Sequence, residues 1–182
     1  MTDRSSGSGA PVAQEDLASV TRQLGRPVRA VNAVAHRCGC GQPDVLTTEP
    51  QLPDGTPFPT LYYLTCPRAT GAIGTLEADG LMRAMAARLA TEPELASAYR
   101  AAHDAYLAQR EELGHVPHIA GISAGGMPDR VKCLHVLVAH SLAAGPGVNP
   151  LGDQALAILA ERGITPESDW GGPAGPCATA DT

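Results

Sequence analysis

The sequence predicts an α+β fold: a small antiparallel sheet of about three strands packed on a helical half, with a disordered tail at each end. Three observations lead there. Short runs of β-branched and aromatic residues, bounded by Gly and Pro, cluster in the first third of the chain. From Ala69 onward the apolar residues recur at helical spacing. Polar Ser/Gly-rich and Gly/Pro-rich stretches close the two ends. At 182 residues the chain suits one domain, since domains commonly run ~100–150 residues. It divides into a tail over 1–13, a single domain over 14–163 and a second tail over 164–182.

Each element has its own signal. Leu17, Val20 and Leu24 lie at helical spacing after an acidic start, so Gln14 to Leu24 reads as a short helix ended by Gly25 and Pro27. Val28 to His36 is rich in Val and Ala and reads as a strand running into a glycine-rich knuckle, Arg37-Cys38-Gly39-Cys40-Gly41. Val45 to Thr48 is a second strand. Asp54-Gly55 marks a turn in the loop that follows, where Pro57 and Pro59 bracket the only phenylalanine, Phe58, and hold the chain extended. Thr60 to Thr65 is the clearest strand, and it stops at Cys66-Pro67. Helices are predicted over Ala69 to Asp79, Leu81 to Leu89 and Glu94 to Leu113, the last after a Thr91/Pro93 start signal. A glycine-bearing loop then leads to Pro128, which opens a helix reaching about Ala144. A last helix covers Asp153 to Arg162. Beyond Thr165 the Gly/Pro content rises, and Cys177 falls in that tail, outside any predicted site.

Composition narrows the function classes. The net charge is −6 with no basic run, so no nucleic acid is expected as a partner. No stretch approaches the ~20 apolar residues of a membrane span, and the N-terminus lacks the apolar core of a signal peptide. The protein is therefore expected in the cytoplasm, where thiols stay reduced. Its five cysteines then read as free thiols, metal ligands or catalytic groups rather than as a disulfide framework.

Lys132 is the only lysine in a chain whose other basic residues are arginines. It stands in Lys132-Cys133-Leu134-His135, behind a glycine turn. Cys38 ends the first strand, Cys66 ends the third, and Cys133 opens a helix. Strand ends and a helix start can converge, and three thiolates with a histidine suit zinc at tetrahedral geometry or, with a non-cysteine fourth position, an iron–sulfur cluster. Cys38, Cys66 and Cys133 are thus the candidate ligands, with His135 or His140 completing or flanking them. Cys133 and His140 lie two turns apart on one helix face, roughly 10 Å along the axis, too far for one ion. His135 points elsewhere unless the helix begins irregularly there. Two other readings stay open. The cysteines serve as small buried hydrophobes, or Cys133 is a nucleophile whose pKa is lowered by the helix start and by Arg130 and Lys132. A hydrolytic metal site would further need a base, for which Glu77 and His103 are the candidates.

The loop from Gly121 to Arg130 resembles an anion cradle, with Gly125 and Gly126 free to turn backbone N–H groups inward and Arg130 and Lys132 supplying charge. Arg37 beside Cys38 and Arg68 beside Cys66 bring two guanidiniums to the same strand ends. A small anionic ligand is the expected partner of such a pocket. The bland readings are a self-contained tight turn and ordinary surface ion pairs. Tyr99, His103 and Tyr106 form a stripe on one helix face that packs on the sheet or lines a pocket.

The run from Leu52 through Cys66-Pro67, then Leu76-Glu77-Ala78, then Arg130-Val131-Lys132-Cys133-Leu134-His135 with Ala139-His140, then Asn149-Pro150, resembles the actinobacterial domain-of-unknown-function family number 501. The resemblance covers roughly Val28 to Leu159, and Arg37-Cys38 with Gly41 and Pro43 fits the family's opening block. It favours Cys38 over Cys40 as a site residue. The family brings no assigned activity. The neighbourhood of its genes to septum-formation and exopolyphosphatase genes implies, by association only, a protein partner in cell division or envelope assembly. Two expectations stand: a cytosolic protein with a Cys/His metal centre beside a basic anion pocket, or a partner-binding module without chemistry whose cysteines are structural.

Overall fold

The structure is a computed structural model that describes residues 12–173 and Cys177. Most of the two predicted tails, 1–11, 174–176 and 178–182, lies outside the described residues. The element order is α1 (Gln14–Leu24), β1 (Val31–Arg37), β2 (Pro43–Thr48), β3 (Tyr62–Leu64), α2 (Pro67–Ala78), α3 (Leu81–Thr91), α4 (Pro93–Leu113), α5 (Leu134–Ala144) and α6 (Pro150–Glu161). The three strands form one antiparallel sheet in the order β1-β2-β3, so the α+β architecture holds. The central strand β2 is buried along nearly its whole length, as a strand flanked on both edges and covered by helices must be.

The helix starts follow from cap chemistry. Pro67, Pro93 and Pro150 each stand at the first helical position, where a missing N–H leaves nothing unpaired. Asn149 caps α6: its Oδ1 accepts from Gly152 N at 3.0 Å. α5 is the central helix. It is apolar almost all round, as a buried helix is, and it packs on all three strands and on α2 and α6. The core lies between the sheet and these helices, built on Val45, Leu64, Ile73, Leu137, Leu151 and their neighbours.

Two sequence expectations are corrected here. Pro128 does not open the fifth helix. The chain stays irregular to Cys133, whose extended backbone (φ −156°, ψ 110°) caps a helix that begins at Leu134. Propensity alone cannot place this start, because the turn before it is closed by its own backbone bonds. Arg130 N–H donates to Gly126 O at 2.9 Å and Lys132 N–H to Gly125 O at 2.7 Å. The second correction is at the C-terminal end. Pro166–Gly171 forms a 3₁₀ turn with a Thr165/Ser168 capping box, and the segment folds back over the sheet. Trp170 is buried there, its Nε1–H donating to Asp44 Oδ2 at 3.3 Å. Asp44 holds His36 Nδ1 with its other oxygen at 2.7 Å. Asp169 and Trp170 both take left-handed φ values, 52° and 56°, at a cost of roughly 1–2 kcal/mol each. Burial of the indole and its bond to Asp44 offset that cost.

Candidate metal centres

The first cluster is built by a turn. β1 ends at Arg37, and the chain reverses through Cys38 N–H to Gln42 O (3.0 Å) and Gly41 N–H to Cys38 O (2.9 Å). Gly41 takes φ +82°, which only glycine adopts at little cost. The C-terminal segment lies directly on this knuckle. Gly39 N–H donates to Pro166 O at 2.8 Å, and a Cβ at Gly39 would sit 2.7 Å from Glu167 O. Any larger residue there would lift the segment away.

That contact brings in Cys177. Its Sγ lies 3.3 Å from Cys38 Sγ and 3.3 Å from Cys40 Sγ, and the latter two are 2.9 Å apart. Cys38 and Cys177 are buried, and Cys40 is half-buried. Cys66, fully buried at the start of α2, stands outside the group whose donor atoms all lie within 4.8 Å of one another, which is Cys38, Cys40 and Cys177; its thiol and that of Cys177 bear on each other's titration. The Cys38 Sγ also approaches Asp169 Oδ1 at 3.6 Å. All five cysteines are free thiols. Burial pushes the Cys38 thiol up to about 12, and it pushes Cys66 and Cys177 up as well. Of the four thiols at this end, Cys40 is the one held below its ordinary value: burial opposes its charge, but the bonds from Cys38, Gln42 and Cys177 outweigh it. At the knuckle, charge is therefore favoured on the Cys40 sulfur over its neighbours, and further negative charge there needs a cation to balance it.

The second cluster lies between α2 and α5. Glu77, in the last turn of α2, accepts from Leu134 N–H at 2.7 Å through Oε1. The same oxygen lies 3.2 Å from His135 Nδ1, and Cys133 Sγ lies 3.9 Å from that nitrogen. His135 Nε2 faces Thr70 O at 3.2 Å. The extended backbone at Cys133 is the irregular helix start that lets residues two apart share a face. The bond to Cys133 raises the imidazole pKa to about 9. Burial opposes ionisation of the Cys133 thiol, but the bond to His135 leaves its pKa lowered on balance.

The structure therefore separates the sequence-predicted ligands. Cys38 belongs to the first cluster, Cys133 and His135 belong to the second, and Cys66 lies outside both groups. His140 belongs to neither. It is fully buried, stacked on Tyr62 (ring centroids 5.5 Å, 17°) and edge-on to Tyr106 at 5.3 Å. Its Nδ1 lies 3.2 Å from Asn149 Nδ2. Since that amide can only donate, the ring proton sits on Nε2, which has no partner. Burial pushes the His140 pKa down from 6.5 to about 4. The unfolded chain consequently binds a proton that the folded one refuses, and stability falls as pH drops from 6.5 toward 4. Between pH 7 and pH 5 this amounts to about 2 kcal/mol. Urea unfolding of the wild type should show that extra loss over His140→Gln; equal losses in both proteins would refute it.

The basic residues expected to ring the cysteines are engaged otherwise. Arg37 pairs bidentately with Asp16 at 2.8 and 2.7 Å and donates to Gly41 O. Arg68 donates to Asp169 O at 3.4 Å beneath the C-terminal segment. Arg130 and Lys132 are exposed, on the self-bonded turn whose Gly125 and Gly126 carbonyls consume their N–H groups. The Tyr99–Tyr106 stripe is structural. Tyr99 donates to Arg130 O at 3.1 Å, Tyr106 accepts from Leu61 N–H at 2.6 Å, and His103 Nδ1 meets Ser123 Oγ at 2.8 Å. His115 Nδ1 meets Glu111 at 2.7 Å on the surface.

Sequence reasoning passed over Cys177 and ranked Cys40 below Cys38. The available signals were the Cys-Gly-Cys spacing and a lone tryptophan in an otherwise Gly/Pro-rich end. A lone large aromatic beside a cysteine in such a stretch marks a segment with something to bury against. Glu77 entered the sequence reading only as a base.

No helix of the described residues is long and apolar enough to cross a membrane. Neither the curated proteins nor the solved structures yield a match to this chain. A family model does match residues 34–157, the span from β1 through most of α6 that carries Cys38, Cys40, Cys66 and the whole second cluster. The chain belongs to that family, described as protein of unknown function (DUF501).

Proposed function

We propose that this is a cytoplasmic metal-binding protein in which Cys38, Cys40 and Cys177, with Cys66 as the fourth thiol, hold a single zinc ion. One observation carries the reading: sulfurs from two ends of the chain sit 2.9–3.3 Å from one another. Sulfurs around a zinc at ~2.3 Å stand about 3.8 Å apart, so these three are within reach of one ion. A disulfide would pair two of them and strand the third. An iron–sulfur cluster spreads its cysteine ligands over two or more irons around an inorganic core, so three sulfurs that all touch one another favour a mononuclear ion.

A four-thiolate site is closed, with no position left for substrate. Its role is to hold the C-terminal segment against the β1–β2 knuckle, and the surface so organised is what the protein offers to others. Protein purified anaerobically should carry zinc, with no visible absorption. Cys66→Ser should lose the four-thiolate signature of a cobalt-substituted sample. Strong absorption from bound iron, or a wild type that takes up no metal at this cluster, would overturn the proposal.

A further inference from the structure

The second cluster presents an electrostatic problem that the first does not solve. His135 Nε2 faces the Thr70 carbonyl, and only an N–H can do so favourably. In the neutral ring this leaves Nδ1 as a lone pair, turned toward Glu77 Oε1 at 3.2 Å and Cys133 Sγ at 3.9 Å. Three electron-rich atoms converge on one point, and something positive must stand there. A proton on Nδ1 would serve Glu77 Oε1 alone, at 3.2 Å the long end of the N–H···O range, and would leave Cys133 Sγ at 3.9 Å without a partner of its own. Ligands of one tetrahedral ion with bonds of ~2.0–2.3 Å stand roughly 3.3–3.7 Å apart, close to the separations found.

We propose that Glu77, Cys133 and His135 form a second metal site, for a divalent ion of the zinc class, with three protein ligands and a fourth position open to solvent. The supporting contacts are those of a built site. Thr70 O takes the other imidazole N–H and fixes the ring, as outer partners of metal-bound histidines do. Leu134 N–H fixes the carboxylate at 2.7 Å. The side chains of His135 and Glu77 keep 25% and 23% of their surface exposed, and Cys133 is half-buried, so an ion and a small fourth ligand can enter. A mixed Cys/His/carboxylate set with one free position is the form of zinc site that takes up exchangeable ligands, unlike the closed cysteine centre. The two sites share no residue.

The test uses the full chain, reduced, stripped by chelator and reloaded with zinc. The wild type should retain about two equivalents, and His135→Ala or Glu77→Gln about one. In the same variants cobalt should still show the sulfur-rich spectrum of the cysteine centre. If the cysteine centre were the failed reading, the wild type would hold one equivalent, which Cys66→Ser keeps and His135→Ala loses. Alkylation of Cys133, followed by peptide mass spectrometry, gives a second readout. Zinc should protect this thiol in the wild type and not in His135→Ala. Equal zinc content in the wild type and both variants, or fast alkylation of Cys133 that zinc does not slow, would overturn the second site and leave a proton-bridged thiolate.

Discussion

Cys177→Ser is expected to cost on the order of 5 kcal/mol of stability and to release the C-terminal segment. Binding of a structural zinc contributes about 10–16 kcal/mol in small zinc domains, and that energy is folding energy because the unfolded chain has no site. Removing one of four thiolates forfeits a large part of it. Without the ion, the segment is held by four modest bonds: Gly39 N–H to Pro166 O, Cys38 Sγ to Asp169 Oδ1, Arg68 to Asp169 O and Trp170 to Asp44. These must also sustain the left-handed backbone at Asp169 and Trp170. Arg162, exposed at the end of α6, offers trypsin a cut that would free everything after it. Urea unfolding should show the loss, and cleavage after Arg162 should appear in Cys177→Ser and in chelated wild type but not in the zinc-loaded protein. Identical unfolding curves and digests with and without chelator would show that the sulfurs meet only as packed thiols.

The contrast between what the sequence revealed and what it hid follows the range of the interactions. α1 was placed at its full length, and α3, α4 and β2 to within about two residues, because caps, prolines and apolar spacing are local signals. The start of α5 was placed too early because Pro128 is a good first helical residue, but the bonds from Arg130 and Lys132 back to Gly126 and Gly125 compete with a helical path. The cysteine cluster joins Cys38 to Cys177, 139 residues apart, and nothing periodic links them. Sequence reasoning could find the thiols worth watching but not sort them. It joined Cys133 to Cys38 and Cys66, where the fold assigns it to Glu77 and His135. Its condition for His135, an irregular helix start, was a sound piece of geometry that the extended Cys133 meets.

The helix that carries the second cluster depends on one close approach. Gly152, in the first turn of α6, packs against α5, where a Cβ would run into Leu137 O and Ser141 Oγ and stand 2.7 Å from Leu137 C. Two of those three atoms belong to backbone that cannot rotate away. Leu137 is buried in the core, and Ser141 Oγ is committed to Asn149 O at 3.1 Å. Gly152→Ala must therefore separate the helices, which disturbs the Asn149 cap and its contact with His140. The expected loss is about 3 kcal/mol, at the high end for overpacking, seen as a Tm fall of roughly 6–12 °C. Gly71→Ala provides the contrast. Gly71 is exposed within α2 with nothing within 4 Å of an added Cβ, so alanine there should stabilise by about 0.5–1 kcal/mol through helix propensity. Similar Tm values for Gly152→Ala and the wild type would mean that α5 and α6 can part freely, and a helix so loosely seated could not present Cys133 and His135 to one ion.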